Sequence, residues 1–342
     1  MKLTHTLPGK MVFLFLVFSA AWLLAGCSGG ESDGRELRSQ LVMDTKVDVT
    51  LYGLSAREAT VISREMFEEM ERLEQILSRH VPDSDISRIN QAAGQEWVSV
   101  ERETVELLQE AVEAARLMDG AFDPTVGALL RLWGFGTEEP RVPGDQELEQ
   151  ALEQVDYEQI QIDEANSRVF LARSGMSIDV GGIAKGFIVD RGQEVTAAAG
   201  VKAAFINAGG DISIRGQRPA GGKWRVAVQD PHSPQEWIAI IEMESGSIAT
   251  SGDYQRFFEE DGEVYHHILD TASGLPARGV SSVTVTGPST SMVDALSTGI
   301  FVLGAQRGLE LLETLPEYEG LIVDQQGEIL ISPGLQDDVE LL

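Results

Sequence analysis

From Val42 to Tyr52 the residues Val47, Val49 and Leu51 take alternate positions, which predicts a first strand. Between Ser55 and Arg79 the period lengthens. Ile62, Met66, Met70, Leu73 and Leu77 recur at spacings of three and four, the stripe of a long amphipathic helix. A second helix is predicted from Thr104 to Met118, closed by Gly120, and a short acidic third from Gly144 to Val155. Pro140, Pro143 and Gly144 place a loop over 137–144. Beyond it the pattern turns to short strands at Gln159–Ile162, Arg168–Leu171 and Ser177–Val180, followed by a helix from Gly182 to Ala198. Further strands are predicted at Ala203–Ile206, Ile212–Ile214, Trp224–Val228, Trp237–Met243, Tyr265–Leu269 and Ser282–Thr286. A helix over Ser289–Leu303 and strands at Gly320–Val323 and Glu328–Ile331 complete the chain. Helices and strands interleave without a regular β-α-β beat, so the expected class is α+β, with mixed sheets and packed helices.

The first residues change how the remainder is counted. Lys2 and Lys10 precede an apolar run from Met11 to Ala25, short for a membrane span, that ends in Leu24-Ala25-Gly26-Cys27. Small residues before a cysteine match the processing site of bacterial lipoproteins. The expectation is a signal peptide over 1–26, a lipidated Cys27 with a flexible tether over 27–40, and one domain over 41–342, held extracytoplasmically on a membrane. An ordinary secretory signal or a true membrane anchor is the alternative. Cys27 is the sole cysteine, so a disulfide or a thiolate nucleophile has no place in the domain. Loss of Lys2 and Lys10 with the signal peptide takes the net charge from −29 to −31. A surface so acidic repels nucleic acid, and an anionic substrate would need local features to hold it.

Five segments depart from plain core. In Ser177-Ile178-Asp179-Val180-Gly181-Gly182-Ile183-Ala184-Lys185-Gly186, a carboxylate, two glycines and a helix start with a lysine one turn in suit an anion, or form a tight turn. The order fits neither the P-loop nor the dinucleotide-binding glycine pattern. Asp294 and Thr298 share one face of an otherwise apolar helix; they are hard oxygen ligands suited to Mg2+, or else locally bonded polar groups. His266 and His267 sit adjacent on a strand and point to opposite faces, so that one can face a site and the other solvent. Ala121-Phe122-Asp123 follows a helix exit, with an aromatic able to stack on a ring or simply to pack. Asn207-Ala208-Gly209-Gly210-Asp211 reads as a hairpin.

Taken in order, Asp179-Val180-Gly181-Gly182-Ile183-Ala184-Lys185-Gly186, Asn207-Ala208-Gly209-Gly210-Asp211, His267-Ile268-Leu269-Asp270 with Gly274, and Asp294-Ala295-Leu296-Ser297-Thr298 resemble the FAD:protein FMN transferase (ApbE) family. The resemblance implies Mg2+-dependent transfer of FMN from FAD to a Thr or Ser hydroxyl of an acceptor flavoprotein, with AMP released. The acceptor would belong to a membrane or extracytoplasmic redox system. It implies Mg2+ on Asp294, Thr298 and the Gly182 carbonyl. FAD would lie against Met43, His80, Ala121, Phe122, Asp123, Asp179, Lys185 and Ile268, and His267 would act as general base. At His80 many members carry tyrosine, and Asp270-Thr271 stands where Asp-Pro is usual. An FAD pyrophosphatase would use the same residues, and a non-catalytic flavin-binding lipoprotein is a further alternative.

Overall fold

The computed structural model describes residues 34–137 and 139–342; the predicted signal peptide and Cys27 lie outside them. In chain order the strands are β1 (Glu36–Val42), β2 (Thr45–Leu51), β3 (Val98–Ser99), β4 (Ile160–Asp163), β5 (Arg168–Leu171), β6 (Ala204–Ala208), β7 (Asp211–Arg215) and β8 (Trp224–Gln229). They continue with β9 (Trp237–Met243), β10 (Gly246–Gly252), β11 (Phe257–Glu260), β12 (Glu263–His266), β13 (Val280–Gly287), β14 (Glu319–Asp324), β15 (Ile329–Ile331) and β16 (Val339–Leu341). The helices are α1 (Ala56–Leu77), α2 (Asp85–Gln91), α3 (Arg102–Leu117), α4 (Gly127–Trp133), α5 (Asp145–Leu152), α6 (Ala184–Ala198), α7 (Thr290–Leu303) and α8 (Ala305–Glu313).

An eight-stranded antiparallel sheet, in the order β1-β2-β6-β7-β10-β13-β14-β15, divides the molecule. Side chains alternate across it, and both faces are covered. Val47, Val49, Ile206, Ala249, Val283 and Val285 face one core with α1, α6 and α7. Ile212, Ile214, Ile248, Leu321 and Val323 face a second core, roofed by the small sheet β16-β9-β8. Two-sided burial explains why β13 is buried at seven of its eight positions.

α1 forms where its stripe predicts, and Ile62, Met66, Met70, Leu73 and Leu77 are all buried. Its start is fixed by a capping box in which the Ser55 hydroxyl accepts from the Glu58 amide and the Glu58 carboxylate accepts from the Ser55 amide. α7 is capped twice. Ser289 accepts from the Met292 amide, and Asp190 of α6 accepts from the amides of Thr290 and Ser291, both at 3.0 Å. This ties α6 and α7 together where they cross. The crossing needs Gly186, since a Cβ there would lie 2.2 Å from the Thr290 carbonyl oxygen.

Three expectations are corrected. The chain pairs into the sheet from Glu36 onward, so residues 36–40, read as tether, form most of edge strand β1. The predicted strand Ser177–Val180 is reduced to one bridge, Ser177 with Val126. The Asn90 side chain occupies the place of a neighbouring strand there, accepting from the Ile178 amide at 2.6 Å and donating to its carbonyl at 2.9 Å. The predicted strand over 265–269 ends at His266. Among the described residues, no helix is long and apolar enough to cross a membrane.

Candidate active site

A cleft opens between the α6 start, α7, the β1–β2 turn and the segment after β12. Its walls contain all twelve residues singled out from the sequence: Met43, His80, Ala121, Phe122, Asp123, Asp179, Gly182, Lys185, His267, Ile268, Asp294 and Thr298.

The floor is built where α6 meets α7. Asp294 is 6% exposed, and its Oδ2 accepts from the Gly186 amide at 3.2 Å. Thr298, one turn on, shares a 3.1 Å hydrogen bond with Ser251 of β10. Gly182 presses directly on Thr298; a Cβ on it would lie 3.2 Å from Thr298 Oγ1. Beside Asp294 lies buried Asp211 of β7, whose Oδ2 is 3.1 Å from Lys185 Nζ. Burial, followed by repulsion from Asp211, pushes the Asp294 carboxyl well above the usual carboxylate range. Burial likewise raises Asp211, opposed by Lys185. Burial works against the Lys185 ammonium, yet Asp211 and Asp294 together hold its pKa above the usual value. Two buried carboxylates thus share one ammonium, so the second negative charge has to be offset by a proton or by a cation. The side-chain donors there are a carboxylate and a hydroxyl, both hard oxygens. That set fits Mg2+. Among the described residues there is no group of three or more His, Cys, Asp or Glu side chains that could hold a metal ion.

The α6 start faces the same space. Asp179 folds back so that its Oδ1 accepts from the Gly181 amide at 2.8 Å, while Oδ2 pairs with Arg79. α6 has no side-chain cap, and the Gly182 amide has no intramolecular acceptor among the described residues. An anionic oxygen is the natural partner for it.

His267 lines the same cleft. Its Nδ1 lies 3.2 Å from the Arg256 carbonyl oxygen, which can only accept, so the proton sits on Nδ1 and the Nε2 lone pair is free. Burial, then the Arg256 charge, lowers its pKa to about 4, so the ring is neutral at physiological pH. The other histidine of the doublet does not face solvent. His266 is buried, donates from Nε2 to the Ala277 carbonyl at 2.9 Å, and packs edge-on against Phe301 of α7 at 5.5 Å.

Some side chains do less in the cleft than their positions suggest. Phe122 is 5% exposed and wedges between Gly182 and Gly299, so it packs beneath the floor. The Asp123 carboxylate is spent on its own loop: Oδ1 accepts from the Thr125 amide and hydroxyl, and Oδ2 from the Tyr157 amide at 3.0 Å. Burial raises its pKa to about 6. His80 is exposed at the mouth beside Gly136. Met43 and Asp44 form the β1–β2 turn with φ of 55° and 54°, and Glu74 of α1 accepts from the Met43 amide at 3.0 Å. Glu74, Arg79, Ser251 and Arg256 also line the cleft and were not foreseen; each stands outside the motifs, and only the fold brings it there. Asp211 closes the Asn207–Asp211 motif, but its pairing with Lys185 was not foreseen.

A buried carboxylate beside a hydroxyl, an uncapped helix start and a neutral histidine thus line one cleft. The comparisons make this specific. The chain matches the ApbE family over residues 43–322. It is 34% identical over 334 residues to an FAD:protein FMN transferase of Treponema pallidum, covering 93% of this chain and 92% of that one. It is 36% identical to the Vibrio cholerae protein of the same name over 71% of this chain and 74% of that one. The solved ApbE protein of Thermotoga maritima superposes with a TM-score of 0.83 at 37% identity, over 89% of this chain and 99% of that one. The Vibrio cholerae flavin transferase ApbE superposes with a TM-score of 0.79 at 29% identity, over the same shares. The chain belongs to the ApbE family.

Proposed function

We infer that this enzyme is an FAD:protein FMN transferase that moves FMN from FAD to a Thr or Ser hydroxyl of an acceptor protein and releases AMP. The observation that carries the reading is the convergence of His267, Lys185 and the Asp294–Thr298 pair on one cleft. When bound by Asp294, Thr298 and the Gly182 carbonyl, Mg2+ supplies charge neutralisation on the pyrophosphate and polarises the phosphorus. Lys185 and the α6 start hold pyrophosphate oxygens that the acidic surface would otherwise repel. His267 Nε2 takes the proton of the incoming hydroxyl. The hydroxyl oxygen bonds to the FMN phosphorus as the bond to the AMP oxygen breaks, and the electron pair leaves with AMP. The arriving pyrophosphate brings negative charge near the imidazole, which raises its basicity from the ligand-free value. The acceptor is a flavoprotein of a membrane or extracytoplasmic redox system. The Leu24-Ala25-Gly26-Cys27 motif supports a lipid anchor at Cys27 on the extracytoplasmic side.

The test incubates residues 31–342 with FAD, Mg2+ and an acceptor domain, and reads the acceptor's intact mass with and without EDTA, beside Asp294→Ala. A Mg2+-dependent gain of one FMN, lost in the variant, is expected. Conversion of FAD to FMN and AMP without a mass gain would replace the transferase reading with a hydrolase. Intact FAD with every acceptor tried would sink both.

A further inference from the structure

We propose that Arg256 is a further catalytic residue of this site, a guanidinium clamp on the phosphates of the flavin donor that also holds the base His267 in place. The proposal rests on the transferase reading for its chemistry and on the following geometry for its residue.

Three cationic side chains line the cleft: Arg79, Lys185 and Arg256. Arg79 is paired with Asp179, and Lys185 with Asp211. Arg256 has no carboxylate partner among the described residues, in a chain with 55 acids against 26 bases. An arginine left unpaired on so acidic a molecule, inside its cleft, is free to take an anion. Its planar fork matches two phosphate oxygens at once, which a lysine cannot do.

Its backbone places it between the two halves of the chemistry. The Arg256 carbonyl accepts both from the His267 amide, at 3.1 Å, and from His267 Nδ1, at 3.2 Å. Upstream, Gln255 donates from Nε2 to the Thr250 carbonyl at 3.0 Å, which ties the segment back to β10. The next residue of β10, Ser251, bonds Thr298. A phosphate that reaches from Thr298 toward His267 therefore passes a segment that touches both. The nearby positive charge also opposes protonation of His267.

The test compares wild type with Arg256→Gln and Arg256→Lys in the soluble domain. Binding of FAD and of riboflavin, which has no phosphate, is read by flavin fluorescence with and without Mg2+. Transfer is read as kcat and KM against pH. The expected result for Arg256→Gln is FAD affinity weakened about tenfold to a hundredfold, the span of a lost charged hydrogen-bond pair, with riboflavin affinity unchanged. The acid limb of its kcat/KM profile moves to higher pH, because His267 loses a cationic neighbour. Arg256→Lys recovers part of the affinity and restores the acid limb. Equal FAD affinity in wild type and Arg256→Gln, or equal loss of FAD and riboflavin with no rescue by lysine, would overturn the proposal. Failure of the transferase reading looks different: the wild type would modify no acceptor, while FAD and riboflavin would still separate through Arg256.

Discussion

Gly186→Ala would separate the two helices that make the floor of the site, and its cost can be worked from the contacts. An added Cβ would meet the Thr290 carbonyl oxygen at 2.2 Å, its carbon at 2.6 Å and Ser291 Cα at 2.7 Å. These are backbone atoms of α7, held by Asp190, so no rotamer change relieves them. Overpacking of this kind costs about 3 kcal/mol, offset by at most about 1 kcal/mol of helix propensity. The expected net loss is about 2 kcal/mol. Gly192, on the same helix, is the control. Its Cβ would meet Met70 Cε at 2.2 Å, the free end of a flexible side chain, so Gly192→Ala should stay within about 1 kcal/mol of wild type. Urea unfolding with unchanged m-values measures both. FAD affinity should fall in Gly186→Ala alone, because the Gly186 amide holds Asp294. Equal stability of the two variants would refute the claim that backbone contact between α6 and α7 sets the floor.

Two further predictions concern the loop beside the cleft and the anchor. The pKa of Asp123, raised to about 6, means that the folded state keeps the proton longer than the unfolded chain, so this group lowers stability as pH rises from about 4 to 6. Asp123→Asn should flatten that part of the urea-unfolding stability curve and cost about 1–3 kcal/mol at pH 4, where an amide would oppose the Tyr157 N–H; an unchanged pH slope would contradict this. Full-length protein expressed in bacteria should carry lipid on Cys27 and partition with detergent, and Cys27→Ser should not; equal partitioning of the two would remove the anchor.

Much of the site was legible because its parts sit in short runs with unusual composition. The glycines before Lys185, the histidine doublet and the Asp294–Thr298 pair each broke an apolar pattern, and the fold gathers them in one cleft. What pattern reading missed has a common physical cause: interactions that join distant segments. Strand β10 (Gly246-Ser-Ile-Ala-Thr-Ser-Gly) lacks the bulky alternation of a strand, because α7 packs closely on it and only small side chains fit. Ser177–Val180 has that alternation, yet an asparagine 88 positions earlier stands in for its partner strand. Asp211 looked like the end of a hairpin. It is one, since Gly209 and Gly210 turn with φ of 60° and 108°, but it is also the counter-charge to Lys185.

The histidine doublet has a mechanical consequence. His266 anchors its strand to Phe301 on α7, and His267, the next residue, looks into the cleft. Because α7 also carries Asp294 and Thr298, the proposed base and the proposed cation ligands are jaws of one calliper whose hinge is the His266–Phe301 contact. The opening between them is therefore set by the packing of the fold itself. A substrate that bridges the two has to match that gauge.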